Sequence, residues 1–167
     1  NRLCASNLTR TLVMNNVTMG IISNSHKTID NAKWKFVFAP AIAGLEESDR
    51  QKIYDYVREG GTFYFSGTDE RELLRELVGV TFDSYTDTSK TYFAPTEKYS
   101  SFFGEEYDEK YPLPVNYRMP YTKLERENVE VVARLTLPYA HPEDPAKFAS
   151  IHSNPPAEPT DYPQILI

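Results

Sequence analysis

The sequence predicts an α/β fold with a central, mostly parallel sheet, and three consecutive segments carry that prediction. Trp34 to Ala41 is an apolar run, Leu45 to Gly61 is an amphipathic stretch, and Thr62 to Gly67 is a second apolar run. Together they read as one βαβ unit, whose crossover should be right-handed. Both apolar runs lack strict alternation, as expected of strands covered by helices on both faces.

The helix between them follows from its residues. Ser48 or Asp49 is a suitable N-cap, Ile53 and Val57 lie four apart on one face, and Leu45 and Tyr54 widen that stripe. Gly60 supplies the left-handed position that closes a helix. Upstream, Leu3, Leu8, Leu12 and Val13 recur at helical spacing, and Met19 to Ile22 reads as a short strand. Downstream, Asp69 to Val78 reads as a helix, with Asp69 as cap, Glu72 completing a capping box and Gly79 as its end.

From Val80 to Tyr121 the chain is rich in Tyr, Phe and Pro, which predicts short strands and loops. Asn128 to Leu137 and Tyr162 to Ile167 read as strands. The chain begins on a helix and stops on a strand, and is expected to be one domain, residues 1–167, cut from a longer polypeptide.

Composition narrows the partners. At 167 residues and 40% hydrophobic content, a domain can bury about 70% of its unfolded surface. The 24 acidic against 18 basic residues give a charge of -6 with no basic run, so nucleic acid is not expected. Neither a membrane nor a secretion signal is expected, since no apolar segment reaches the roughly 20 residues of a span. The compartment stays open, with a soluble cytoplasmic setting favoured over secretion. Cys4 is the only cysteine, so no intrachain disulfide can form. The three histidines, His26, His141 and His152, show no ligand spacing, so neither a metal nor another cofactor is expected.

The segments FVFAPAIAGLEESDRQKIYDYVREGGTFYFSGTDE (36–70), LLRELVGVTF (73–82), VEVVARLTL (129–137) and KFASIHSNPPAEPTDYPQILI (147–167) resemble a known family. They are similar to the glutamine-amidotransferase-like domain appended to glycoside hydrolases, the β-galactosidase trimerisation domain. The resemblance runs from about Met19 onward and is weakest between Tyr85 and Tyr121. It implies a flavodoxin-like three-layer sandwich acting as an accessory and assembly domain. Its implied partners are a catalytic barrel in the same polypeptide and further copies of itself. True class I amidotransferases carry a cysteine on the strand-to-helix turn, activated by a histidine. The matching turn here is Ser66-Gly67-Thr68 and Cys4 lies on the first helix, so the resemblance does not bring glutaminase chemistry with it.

No catalytic residue is therefore assigned. Two rival readings remain. One is an amidohydrolase-like enzyme using Ser66, with His141 or His152 and a carboxylate such as Asp144 or Asp161. A serine elbow has small residues on both sides, which Phe65-Ser66-Gly67 meets on one side only. The other is a stand-alone carbohydrate-binding or interaction module.

Ser66, Asp69, His152, Asn154, Asp161 and Tyr162 are the candidates for ligand or interdomain contact; of these, His152 and Asn154 lie in Ser150-Ile151-His152-Ser153-Asn154-Pro155-Pro156, a stiff polar loop. The simpler alternative is that His152 and Asp161 tie this loop to the sheet edge. Tyr92, Phe93, Phe102, Phe103 and Tyr107 are candidates for a subunit interface. Aromatic faces also stack on sugars, but large amphipathic rings fill interfaces with fewer assumptions. The acidic run Glu105 to Glu109 reads as solvated surface.

Overall fold

The computed structural model describes every residue except Asn1, Asn24, Thr68 and Ile151, and all described side chains except those of Arg2 and Leu3. Thr68 of the strand-to-helix turn, Ile151 of the polar loop and the Leu3 side chain of the first stripe thus lie outside the described residues. The chain divides into two compact units, Asn1–Leu73 and Leu74–Ile167.

In the first unit, helix α1 (Arg2–Met14) precedes strand β1 (Phe36–Pro40), helix α2 (Glu47–Arg58), strand β2 (Thr62–Ser66) and the short helix α3 (Arg71–Leu73). Strands β1 and β2 pair in parallel from Phe36 opposite Thr62 to Pro40 opposite Ser66, so the βαβ order is present. Helix α2 starts at Glu47, one residue earlier than the cap expected at Ser48 or Asp49, with Glu46 at the N-cap. Glu47 and Asp49 then lie in the first turn, where negative charge suits the helix dipole. The helix buries Ile53 and Tyr56. The Tyr56 hydroxyl donates to the carbonyls of Trp34 (3.0 Å) and Thr62 (3.2 Å), which ties the helix to both strands. Gly60 has φ +90°, the left-handed closure expected of it.

Arg50 gathers the ends of this unit. Its guanidinium meets Glu47 (2.9 Å), Glu72 (3.4 Å) and Glu70 (3.5 Å) and donates to the Leu45 carbonyl (2.8 Å). The Glu47 hydrogen bond leads in holding the Arg50 pKa above its ordinary value. Glu72, expected to close a capping box, is instead drawn to this cation.

In the second unit a single π-type turn (Leu74–Val78) ends at Gly79, whose φ of +71° matches its expected role. Strand β3 (Val80–Tyr85) pairs antiparallel with β6 (Pro120–Leu124). A separate antiparallel sheet has the order β5-β4-β7-β8, from Leu113–Pro114, Tyr92–Pro95, Val131–Pro138 and Pro156–Leu166. A 3₁₀ turn, Glu97–Phe103, follows β4. Strand β7 is central, and Val132, Ala133, Leu135, Thr136 and Leu137 are all buried, so both of its faces are covered. Strand β8 is an edge strand carrying Pro156, Pro159 and Pro163, and its register against β7 shifts repeatedly, because proline has no N–H for the ladder.

These sheets overturn the predicted architecture. The flavodoxin-like, glutamine-amidotransferase-like sandwich with a mostly parallel sheet is not formed: the parallel pairing is confined to β1 and β2, and the remaining strands are antiparallel. The physical reason lies after Gly79. A parallel sheet grows through crossovers of a dozen or more residues, usually helical, and from Val80 on the chain supplies long irregular connections whose helical content among the described residues is the 3₁₀ turn Glu97–Phe103. Met19 to Ile22 is irregular, contrary to the expected strand. The strands at 131–138 and 156–166 replace those expected at 128–137 and 162–167. No helix among the described residues is long and apolar enough to cross a membrane.

Candidate functional site

The sequence candidates fall in separate places. Ser66 ends β2 in the first unit, where its carbonyl accepts from the Ala41 N–H at 2.6 Å. Gly67 follows at φ +56°. Exposed Asp69 accepts at its carbonyl from the Arg71 N–H (2.8 Å), which starts α3. His26, the histidine of this unit, lies against Ser23, whose N–H donates to its Nδ1 at 3.1 Å. His141, His152, Asp144 and Asp161 all belong to the second unit.

Within the second unit the polar loop is held by its asparagine. The Asn154 side chain donates from Nδ2 to the Ala140 carbonyl (2.7 Å) and accepts at Oδ1 from the Ala140 N–H (2.9 Å). The Tyr139 N–H donates to the Pro155 carbonyl (2.7 Å), so strand-like pairing continues past the ends of β7 and β8. His152 is exposed at the loop tip, its N–H donating to the Ser150 hydroxyl (3.2 Å). His141 Nδ1 is buried and has no hydrogen-bond partner among the described residues. A Lys147 hydrogen bond leads in holding the Asp144 carboxyl below the usual range, with His141 a weaker contributor.

Asp161 and Tyr162 do meet, on β8, at the wall of an open cleft of about 360 Å³ that Thr122 and Lys123 of β6 and Arg134 of β7 complete. The Arg134 guanidinium reaches the Asp161 carbonyl at 3.4 Å and its carboxylate at 3.8 Å. The Tyr162 ring packs on Tyr121 with centroids 4.8 Å apart. The Tyr121 hydroxyl donates to Glu143, which also accepts from the Asp87 N–H (2.8 Å). Burial, followed by the Glu143 bond, raises the Tyr121 pKa well above its ordinary value. Arg134 and Lys123 escaped the sequence reading because alternating charges in a strand look like ordinary solvent-facing positions; only the approach of β6 to β8 gives them a common cleft.

The aromatic candidates are spread over β4 and the turn after it. Tyr92, Phe93, Phe103 and Tyr107 are half-buried, and Phe102 is 80% exposed beside Tyr99. A different set of rings stands open in the first unit. Phe36, Phe38 and Tyr64 are 64%, 42% and 50% exposed on one face of the β1–β2 pair, with centroids 6.5 and 5.8 Å apart in sequence. Among the described residues, no group of three or more His, Cys, Asp or Glu side chains is placed to hold a metal ion.

No protein-family model and no curated protein matches the chain. A solved structure does. The chain is similar in fold to part of alpha-L-fucosidase isoenzyme 2 from Paenibacillus thiaminolyticus, with a TM-score of 0.68 and 18% sequence identity. The likeness covers 95% of this chain and 23% of the fucosidase chain. At that identity the likeness is one of fold.

Proposed function

We propose that this chain is a non-catalytic accessory domain of a glycoside hydrolase, which contributes to assembly or shapes the entrance of a neighbouring barrel. The observation that carries this reading is the open ring face of β1 and β2. A parallel sheet is normally covered on both faces. Here one face of a two-stranded pair leaves Phe36, Phe38 and Tyr64 in solvent, and such a patch suits a protein surface that displaces water from it. The fold likeness to less than a quarter of an enzyme named as a fucosidase supports the same reading.

The test has two arms. The purified chain should not hydrolyse nitrophenyl fucosides or galactosides, and turnover by it alone would overturn the reading. In a polypeptide joining this chain to a catalytic barrel, Phe36→Ser with Tyr64→Ser should lower either oligomer mass or barrel activity. Unchanged mass and unchanged activity would remove the assembly role.

A further inference from the structure

The prolines of β8 leave open a gap between two strands. β6 and β8 lie against each other, yet β6 pairs with β3 and β8 with β7, so side chains close the space in place of a ladder. Gln164 donates to the Pro120 carbonyl at 2.8 Å, and the Thr122 hydroxyl donates to the Pro163 carbonyl. Pro163 has no N–H to return. The cleft of about 360 Å³ lies beside these bridges, near the lower end of small-molecule sites.

Its chemistry is specific in sign and shape. Lys123 and Arg134, two basic residues, both line this cleft in a chain whose charge is -6. Each has a partner at the long end of hydrogen-bond and ion-pair distance, which an incoming carboxylate can displace: Lys123 donates to Asp83 at 3.5 Å, and Arg134 donates to the Asp161 carbonyl at 3.4 Å and lies 3.8 Å from its carboxylate. A planar guanidinium is suited to a carboxylate, which it can grip with two parallel N–H groups. The Asp161 carboxylate is fully exposed and can accept hydroxyl donors, while Tyr162 supplies an apolar wall.

The geometry points to a binding site for a hexuronate, a pyranose bearing one carboxylate. The carboxylate lies on Arg134 and Lys123, ring hydroxyls donate to Asp161, and a C–H face of the ring rests on Tyr162. Inorganic phosphate fits less well, since it offers no C–H face to Tyr162 and its second charge adds to the repulsion from Asp161. This site goes beyond the accessory role and does not depend on a catalytic partner, so it stands or falls on this chain alone.

The test is titration of the purified chain with glucuronate, galacturonate, glucose and inorganic phosphate, followed by nuclear magnetic resonance. A uronate should bind in the millimolar range, about tenfold or more tighter than glucose, a ratio set by one charge-assisted contact. Shifts should centre on Lys123, Arg134 and Tyr162. Arg134→Gln should remove the preference for the uronate, and Lys123→Gln, at an exposed side chain whose surface pair with Asp83 is worth little, should weaken it independently. Equal affinity for glucose and glucuronate, phosphate binding as tight as uronate, or no saturable shift at these residues would each overturn the proposal.

Discussion

Asn154 and the backbone of Ala140 form a closed pair of hydrogen bonds, 2.7 and 2.9 Å long, in which a side-chain amide stands in for a strand residue. The loop bearing His152 hangs from that pair and from the Tyr139–Pro155 bond beyond it. Asn154 ties this loop to the end of the strand pair, while the His152 side chain stands in solvent. Asn154→Ala removes both bonds and should cost about 1–3 kcal/mol in urea unfolding. Asn154→Asp keeps the acceptor but sets a carboxylate against the Ala140 carbonyl, so it should destabilise at neutral pH and recover as acid protonates it. An alanine variant as stable as the parent would show that the pair contributes nothing.

Gly61 sits where a side chain has no room. A Cβ built there would overlap the ring of Tyr56, which is almost fully buried. Gly61→Ala should therefore cost about 1–3 kcal/mol through overpacking. Gly60→Ala meets nothing in space and pays only for its positive φ, about 1–2 kcal/mol. The two mechanisms separate in a cycle with Tyr56→Leu, where the Gly61 cost should shrink and the Gly60 cost should not. Equal coupling at both glycines would sink the steric account.

The glycine pair shows what the sequence could and could not reveal. Gly60, Gly61 and the runs beside them made β1, α2 and β2 legible, because local signals of period and closure act within one unit. The step from one parallel pair to a whole parallel sheet failed, since strand pairing after Gly79 depends on contacts distant in sequence. Asp161 and Tyr162 could be singled out by their company of polar and proline residues. Arg134 and Lys123 could not, because their relation to Asp161 exists only once β6, β7 and β8 are side by side.

Glu130 accepts hydrogen bonds from both Lys98 and Tyr99, joining the turn after β4 to the residue before β7. The Lys98 bond, then the Tyr99 bond, holds the Glu130 carboxyl below its usual range. A carboxylate with a depressed folded pKa stabilises the fold above its unfolded pKa, roughly 4.3, and that contribution fades as pH falls through the lower folded value. Glu130→Gln should lower stability slightly near neutrality and leave it unchanged in strong acid, so that the acid limb flattens, the small size being that expected of an exposed pair. An acid limb identical in the parent and in Glu130→Gln would remove this contact from the account of acid stability.

Strand β2 offers a direct comparison of its two faces within five residues. Tyr64 stands in solvent with Phe36 and Phe38, whereas Phe63 and Phe65 are less exposed and pack on each other at 5.5 Å. The apolar run looked uniform in sequence, yet the fold uses it in alternation. Tyr64→Ser should change the stability of the isolated chain by about 0.5 kcal/mol or less, the usual scale for surface positions. Phe65→Ala should cost more, about 1–3 kcal/mol, because it takes apolar surface out of a packed pair. If the open face is an interface, the order reverses for association: Tyr64→Ser should reduce oligomer mass in light scattering of the assembled protein at constant fold. Equal destabilisation by both changes in the isolated chain would mean that the outer face is covered within this chain, and the case for a partner there would fail.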